Sequence, residues 1–247
     1  MKILVCISKT PDTTSRIAFK DNNTVYDESG VQWILNPYDE WYALVRAIEL
    51  KEKDPAVTIH LVTVGLADSE PIIRKALALG GDIAYRINAN SNDSSFVAFQ
   101  IAELAKKESY DLILTGKETI DYNSSSIGAM VAEMLDMPYV SLATKFDLNG
   151  TTATIFREIE GGDEENEVSL PLVVSCQAGV AIQRIPNMRG IMAARTRPLQ
   201  LVEPAAFEAL TAIERYELPP ARQSVKLVAA DNVAELARLL RDEVKAF

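Results

Sequence analysis

The chain has 247 residues, 48% of them hydrophobic, with a formal net charge of −10, two cysteines and one histidine. That length suits one large α/β domain, or one domain with an appendage. The negative charge excludes a nonspecific nucleic-acid binder, which needs a basic face, and a lone His60 inside an apolar run excludes a multi-histidine zinc site and argues against a Ser-His-Asp triad.

In chain order, Lys2–Ile7 is a continuous apolar strand of the kind buried on both faces of a sheet. The leading MKILVCIS is too short for a signal peptide and lacks a cleavage pattern. No apolar run approaches the roughly 20 residues of a membrane span. Cys6 and Cys176 form no spaced ligand set and read as buried thiols of a reducing compartment. A soluble, cytoplasmic protein without membrane insertion is expected.

A helix is predicted over Tyr38–Lys53, with Trp41, Leu44, Val45 and Ile48 on one stripe and Pro37 at its start. Val57–Val64 is a second buried strand ending at Gly65, and Asp68–Leu79 a helix ended by Gly80-Gly81. Ile83–Ile87 (strand), Phe96–Lys107 (helix), Asp111–Thr115 (strand) and Ser124–Leu135 (helix) continue the alternation. Such a sequence of elements argues for parallel βαβ units.

The pattern then changes. Tyr139–Leu148 and Thr151–Ile159 are β-rich runs joined by Asn149-Gly150, a hairpin signal. Gly161-Gly162-Asp163 and the acidic run through Glu167 read as a turn, and Glu167–Cys176 as a third β-rich run. Arg184–Pro198 reads as irregular and basic, and Pro204–Lys226 as an extended arm. Asp231–Val244 is a last amphipathic helix, capped by Asp231, with Val233, Leu236, Leu240 and Val244 inward. The predicted fold is α/β: a parallel sheet with helices on both faces, an antiparallel β extension, and a C-terminal arm carrying a helix. Residues 1–197 form the nucleotide-binding domain and 198–247 the arm. An arm of that length outside a core needs another surface, which points to a partner subunit.

Three loops should meet at the carboxyl edge of such a sheet: Ser8–Thr14, Gly65–Ser69 and Gly116–Ser126, joined by Asn36-Pro37-Tyr38. There open α/β sheets bind nucleotides. Ser124–Ser126 can cap a helix whose N-terminus favours a phosphate. No Walker A or GxGxxG motif occurs. The loops offer hydroxyls, amides and backbone donors with few basic groups beyond Lys9 and Lys117, a mixture suited to an adenosine phosphate and poorly suited to phosphoryl transfer, although Asp12 or Asp121 could hold Mg²⁺ in principle. An ordinary capped loop is the plain alternative. No catalytic constellation and no metal-ligand set is found. Arg184–Arg197 holds four arginines and no acid, with Met188, Ile191 and Met192 among them. Arginine steering and methionine anchoring would make it a docking surface; solvated arginines over buried apolar residues would make it ordinary structure.

The pieces MKILVCISKTPDT, NPYDEWYALVRAIELKE, IIRKALALGG, DLILTGKETIDYNSSSIGAMVAEMLDMP, LPLVV and RIPNMRGIMAAR, in that order and spacing, carry a likeness over essentially the whole chain. The chain resembles the β subunit of electron-transfer flavoprotein. The resemblance implies an adenine-nucleotide α-hydrolase-like fold, an obligatory heterodimer with an α subunit that carries most FAD contacts, and a structural AMP in the β subunit. By position it implies AMP contacts at Cys6, Asn36, Pro37, Tyr38, Asp39 and Val64, and along Gly116, Lys117, Glu118, Thr119, Ile120, Asp121, Tyr122, Asn123, Ser124, Ser125, Ser126 and Ile127. It implies that acyl-CoA or other flavin dehydrogenases dock on Arg184, Ile185, Met188, Arg189, Ile191, Met192 and Arg195, with the anchor at Met188 or, in another alignment, Ile185. The family often has leucine there followed by several lysines; fewer basic residues here imply different or weaker docking. The arm Pro198–Phe247 would wrap the α subunit. The chain would be an electron-carrier subunit in routes such as fatty acid oxidation, not an enzyme. Some relatives hold a second FAD in the β subunit and bifurcate electrons; DYNSSSIG looks like the AMP form, whereas the RGIM wording is shared with bifurcating relatives. The rivals are a stand-alone ATP-dependent enzyme or nucleotide sensor, and a scaffold whose nucleotide loop is empty.

Overall fold

The structure, a computed structural model, describes residues 1–221 and 224–246. Arg222, Gln223 and Phe247 of the predicted arm lie outside the described residues. In chain order the elements begin with β1 (Lys2–Cys6), β2 (Lys9–Pro11), β3 (Phe19–Lys20), β4 (Val25–Tyr26), β5 (Trp33–Leu35), α1 (Asp39–Lys53), β6 (Thr58–Val64) and α2 (Glu70–Leu79). β7 (Ile83–Ile87), α3 (Ser94–Glu108), β8 (Leu112–Gly116), α4 (Ile127–Leu135), β9 (Tyr139–Asn149) and β10 (Thr152–Ile159) follow. The chain continues with β11 (Gly162–Ser169), β12 (Leu172–Cys176), α5 (Met188–Ala194), β13 (Leu199–Val202) and α6 (Val233–Leu239).

One nine-stranded sheet organises the molecule, in the order β11-β10-β9-β12-β8-β1-β6-β7-β13. From β9 to β13 every neighbouring pair is parallel; β9-β10 and β10-β11 are antiparallel. Both faces are covered, as a parallel sheet requires. The period of two explains how: along β1, Ile3 and Val5 join α1 and α2 in one apolar layer, while Leu4 and Cys6 join α3 and α4 in the other. The chain leaves β1 for β6 on one side, while β8 pairs on the other. That reversal makes the carboxyl ends of β1 and β8 a topological switch point, the usual ligand crevice of an open α/β sheet.

The parallel alternation, both-face helices and antiparallel extension agree with the prediction. Several boundaries do not. Helix α4 starts at Ile127, not Ser124, because Asn123 and Ser125 both take positive φ (51°), a conformation a right-handed helix cannot contain. The acidic run predicted as a turn is strand β11: Glu160-Gly161 makes the turn, and Arg157 pairs Glu164 at 2.6 Å across the strands. Charges on that outer strand protect an edge. Glu167–Cys176 is two strands, and the second, β12, is no part of the antiparallel extension; it inserts between β8 and β9, with all five residues buried.

Arg184–Pro198 is not wholly irregular, since it contains α5, and Leu199–Val202 continues the main sheet beyond the expected boundary at residue 197. The following segment lies on its own domain. Gln100 and the backbone of Ala205 exchange two 2.8 Å hydrogen bonds, Phe207 stacks on Phe99, and Thr211 donates twice to Asp93. The last helix is capped by Asn232, not Asp231. Its expected inward stripe is not buried: Val233, Leu236 and Val244 are exposed, Leu240 is half-buried, and Leu239 is the residue that turns in.

Candidate functional site

The turn after β1 brings Ser8 over the first turn of α1. The Ser8 N–H and hydroxyl each donate to the Glu40 carboxylate at 2.7 Å. Asn36, fully buried, ties three loops together. Its N–H donates to the Ser8 carbonyl (3.0 Å), its Nδ2 to the Glu118 carbonyl (3.0 Å), and its Oδ1 accepts from the Ile120 N–H (3.1 Å). Gly116 follows from the same crowding: a Cβ there would lie 2.8 Å from Glu40 Cγ and 2.9 Å from Glu40 N. Only glycine lets β8 run this close to α1. Tyr38 caps α1 at φ 66°, exposed and in a conformation costly for a tyrosine, the kind of strain that gathers at binding sites.

The loop beyond Gly116 is internally ordered. The Lys117 N–H donates to the Cys176 carbonyl at 2.9 Å, Lys117 Nζ pairs Glu118 at 3.2 Å, and the Ser125 hydroxyl donates to Glu118 at 2.8 Å. Ser125 is therefore occupied, and Ser126, at the N-cap of α4, makes no capping side-chain bond. The expected serine cap is absent. The first-turn N–H groups of α4, which no helix can satisfy internally, keep no side-chain partner at that cap. An open cleft of about 500 Å³ adjoins this end, lined by Lys117, Glu118, Ser125, Ala129, Tyr139, Ser141, Leu142 and Ser175.

The sequence-predicted residues fall at one edge. Cys6, Val64 and Gly116 end β1, β6 and β8, and Asn36–Asp39 abut Gly116, whose absent Cβ would stand 3.1 Å from Asp39 Cβ. Lys9 is not available to a phosphate: it pairs Asp68 at 2.5 Å and sits over the Trp33 ring. Asp12 is held in its own turn by Thr14. Among the described residues, no group of three His, Cys, Asp or Glu is placed to hold a metal ion. His60 is a buried core residue against Tyr110 (3.0 Å), its pKa lowered by burial.

Glu40 was not picked out from sequence; two acids opening a helix read as dipole complements. Burial pushes its carboxyl up to about 8, with Asp121 and Asp39 adding to the rise and Ser8 opposing it. An acid whose folded pKa lies above its unfolded value near 4.5 favours folding most when protonated, so its contribution falls as pH rises from about 4.5 to about 8. Glu40→Gln keeps the shape and an acceptor for the Ser8 N–H. The variant should lose that stretch of the stability-versus-pH curve and match or exceed the parent's melting temperature at pH 8. Parallel curves for the two proteins, followed by circular dichroism, would refute the assignment.

In the docking segment, Arg184 is tied down: it pairs Glu52 at 2.6 Å, and its carbonyl accepts from Trp41 Nε1 at 2.9 Å. Arg189 and Arg195 are exposed. Around them Ile185 (89% exposed), Met188 (73%) and Met192 (56%) stand in solvent, Ile191 is 40% exposed, and Ile182, unremarked in the sequence, is 84% exposed. The apolar residues do not pack under the domain. Exposed apolar side chains gathered in one short segment are the kind of feature that interaction surfaces use.

A family model described as the electron transfer flavoprotein domain matches residues 23–207. The chain is 37% identical to the electron transfer flavoprotein subunit beta of Bacillus subtilis, over 99% of each chain. It is 37% identical to that of Syntrophomonas wolfei, over 99% of this chain and 98% of the relative. It is 29% identical, over 99% of this chain and 98% of the relative, to a protein named caffeyl-CoA reductase-Etf complex subunit CarD, from Acetobacterium woodii. Among the described residues no helix is long and apolar enough to cross a membrane. Taken with the parallel sheet and its switch-point loops, these similarities establish that the chain belongs to the electron transfer flavoprotein family, as a β subunit.

Proposed function

We propose that this β subunit holds AMP as a structural ligand at the carboxyl edge of its sheet, pairs with an α subunit that carries most of the FAD site, and docks acyl-CoA or related flavin dehydrogenases through the Ile185–Met192 surface. The heterodimer then passes electrons toward a respiratory chain, in the cytoplasm. FAD, when bound, supplies the redox chemistry. This chain's own residues bind, shape and dock, and none need be catalytic.

One observation carries the AMP reading: the N-terminus of α4 has no capping side chain and faces the loop that Asn36 locks in place. Free N–H groups and the helix dipole suit a phosphate. Backbone around Gly116–Ile127 would hold it, with Cys6, Asn36–Asp39 and Val64 completing the surround. Lys9 and Lys117 are already paired with acids, which speaks against a γ-phosphate site and hence against an ATP-consuming enzyme. The exposed stripe of α6 supports an arm that lies on the α subunit. A second reading, a β subunit with its own FAD, draws on the cleft beside Lys117 and Ser125, which leaves room beyond a single phosphate.

Purifying the chain with its α subunit and releasing ligands by heat tests both. One AMP and one FAD per heterodimer is expected. Two flavins and no AMP would replace the first reading by the second, and neither ligand would overturn both.

A further inference from the structure

Thr115 has a feature the fold alone does not account for. It ends the apolar run of β8 and, by strand alternation, shares the face of Ile113 beneath α4. It is 2% exposed, and its hydroxyl has no hydrogen-bond partner. A buried hydroxyl left unpaired is destabilising, and valine would fill the same space with equal fitness for a strand. The hydroxyl is aimed at the first turn of α4: a Cβ on Gly128 would stand 2.9 Å from Thr115 Oγ1 and 3.1 Å from the Tyr139 hydroxyl. Gly128 therefore lets the first turn of α4, where its uncapped N–H groups begin, come down onto Thr115 with no side chain between them. The neighbouring hydroxyl in register, Ser175, is already used, accepting from Tyr139 and from the Leu142 N–H. Lys117, the nearest cation of the loop, is balanced by Glu118.

We infer that Thr115 is a phosphate-binding residue, its hydroxyl donating to a phosphate oxygen of the nucleotide held at the N-terminus of α4. The inference rests on the reading that this subunit holds an adenine nucleotide. It adds a neutral side-chain donor to a site otherwise built from main-chain N–H groups. A hydroxyl that pairs only when the ligand is present explains why it is retained at a buried position.

The test uses the heterodimer, stripped of nucleotide, with AMP and adenosine as separate probes in titration calorimetry. Thr115→Val should weaken AMP about tenfold, the worth of one hydrogen bond to a charged group, and leave adenosine unchanged. Without nucleotide, the variant should melt at or above the parent temperature, since an unpaired buried polar atom has been removed. Thr115→Ser should retain AMP affinity. Parent-like AMP binding by Thr115→Val overturns the inference and leaves the nucleotide reading intact. Equal loss of AMP and adenosine, with a lower melting temperature, also overturns it, in favour of a packing role. A parent heterodimer that takes up neither probe removes both.

Discussion

Asn36→Ala should strip adenine nucleotide from the heterodimer and lower its melting temperature by about 4–24 °C. Asn36 is a buried amide whose donor and acceptor are both spent on the loop after β8, at Glu118 and Ile120. Truncation leaves a carbonyl and an N–H without partners in a partly buried place. Each such orphan costs about 1–3 kcal/mol. Two of them give a loss of about 2–6 kcal/mol, with a degree scale of about 2–4 °C per kcal/mol for a protein of this size. The effect on the ligand should be larger than on the fold. The loop from Lys117 to Ser126 aims the α4 N-terminus, and a site loosened by an ångström loses most of its preorganisation. Calorimetry and chromatography of released nucleotides read the two effects separately. Asn36→Asp should be intermediate, because it keeps the acceptor for Ile120 but loses the donor to Glu118. An alanine variant that melts with the parent and keeps its nucleotide would show that the loops hold their places without this amide.

The parts of the molecule that could be read from sequence are those where local pattern and burial agree. β1, β6 and β8 are short apolar runs, and a run buried on both faces can only be an inner strand of a covered sheet. Residues whose place depends on distant partners were less legible. Leu172–Cys176 is as apolar as the strands around it, but nothing local says that it inserts between β8 and β9 and not beside the hairpin. The acids of β11 suggest a turn unless one knows that they protect an outer edge. The start of α4 moved by three residues because Asn123 and Ser125 adopt positive φ, which asparagine tolerates and which does not show in serine.

The site divides the same way. The Gly116 loop and Asn36 were found because a glycine at a strand end and an amide before a helix are local signals. Glu40 and Thr115 were not, because a helix-opening acid and a strand threonine look ordinary until their burial is known. In the docking segment, composition left open whether Met188 and Ile191 pack inward; their exposure answers that, while Arg184 proves to be a structural anchor.

Gly190→Ala should impair electron uptake from a dehydrogenase more than Met188→Ala does, although Gly190 offers no side chain to a partner. Helix α5 has only seven residues and carries this glycine inside it, at a cost of about 1 kcal/mol relative to alanine. Such a helix is marginal alone and depends on its seat. Asn187 caps it, accepting from the Gly190 N–H at 2.8 Å. Arg74 holds its far end through the Ala194 carbonyl at 2.9 Å, and Arg197 donates to the Leu77 carbonyl at the end of α2. Gly190 is the point of contact: a Cβ there would lie 2.2 Å from the Ala78 carbonyl oxygen, which is backbone and cannot swing aside. Alanine must lift α5 from α2 or break its caps. Met188 and Met192, one turn apart on its exposed side, move with it. Contacts that decide an interface are few and clustered, so displacing both outweighs truncating one. KM for the reduced dehydrogenase should rise about tenfold or more, while flavin content and the flavin absorption spectrum stay at parent values. Overpacking should lower stability by about 1–3 kcal/mol, which circular dichroism separates from the kinetic effect. An unchanged KM in Gly190→Ala, with α5 shown to have shifted by exchange of its amide protons, would mean that dehydrogenases dock elsewhere on the heterodimer.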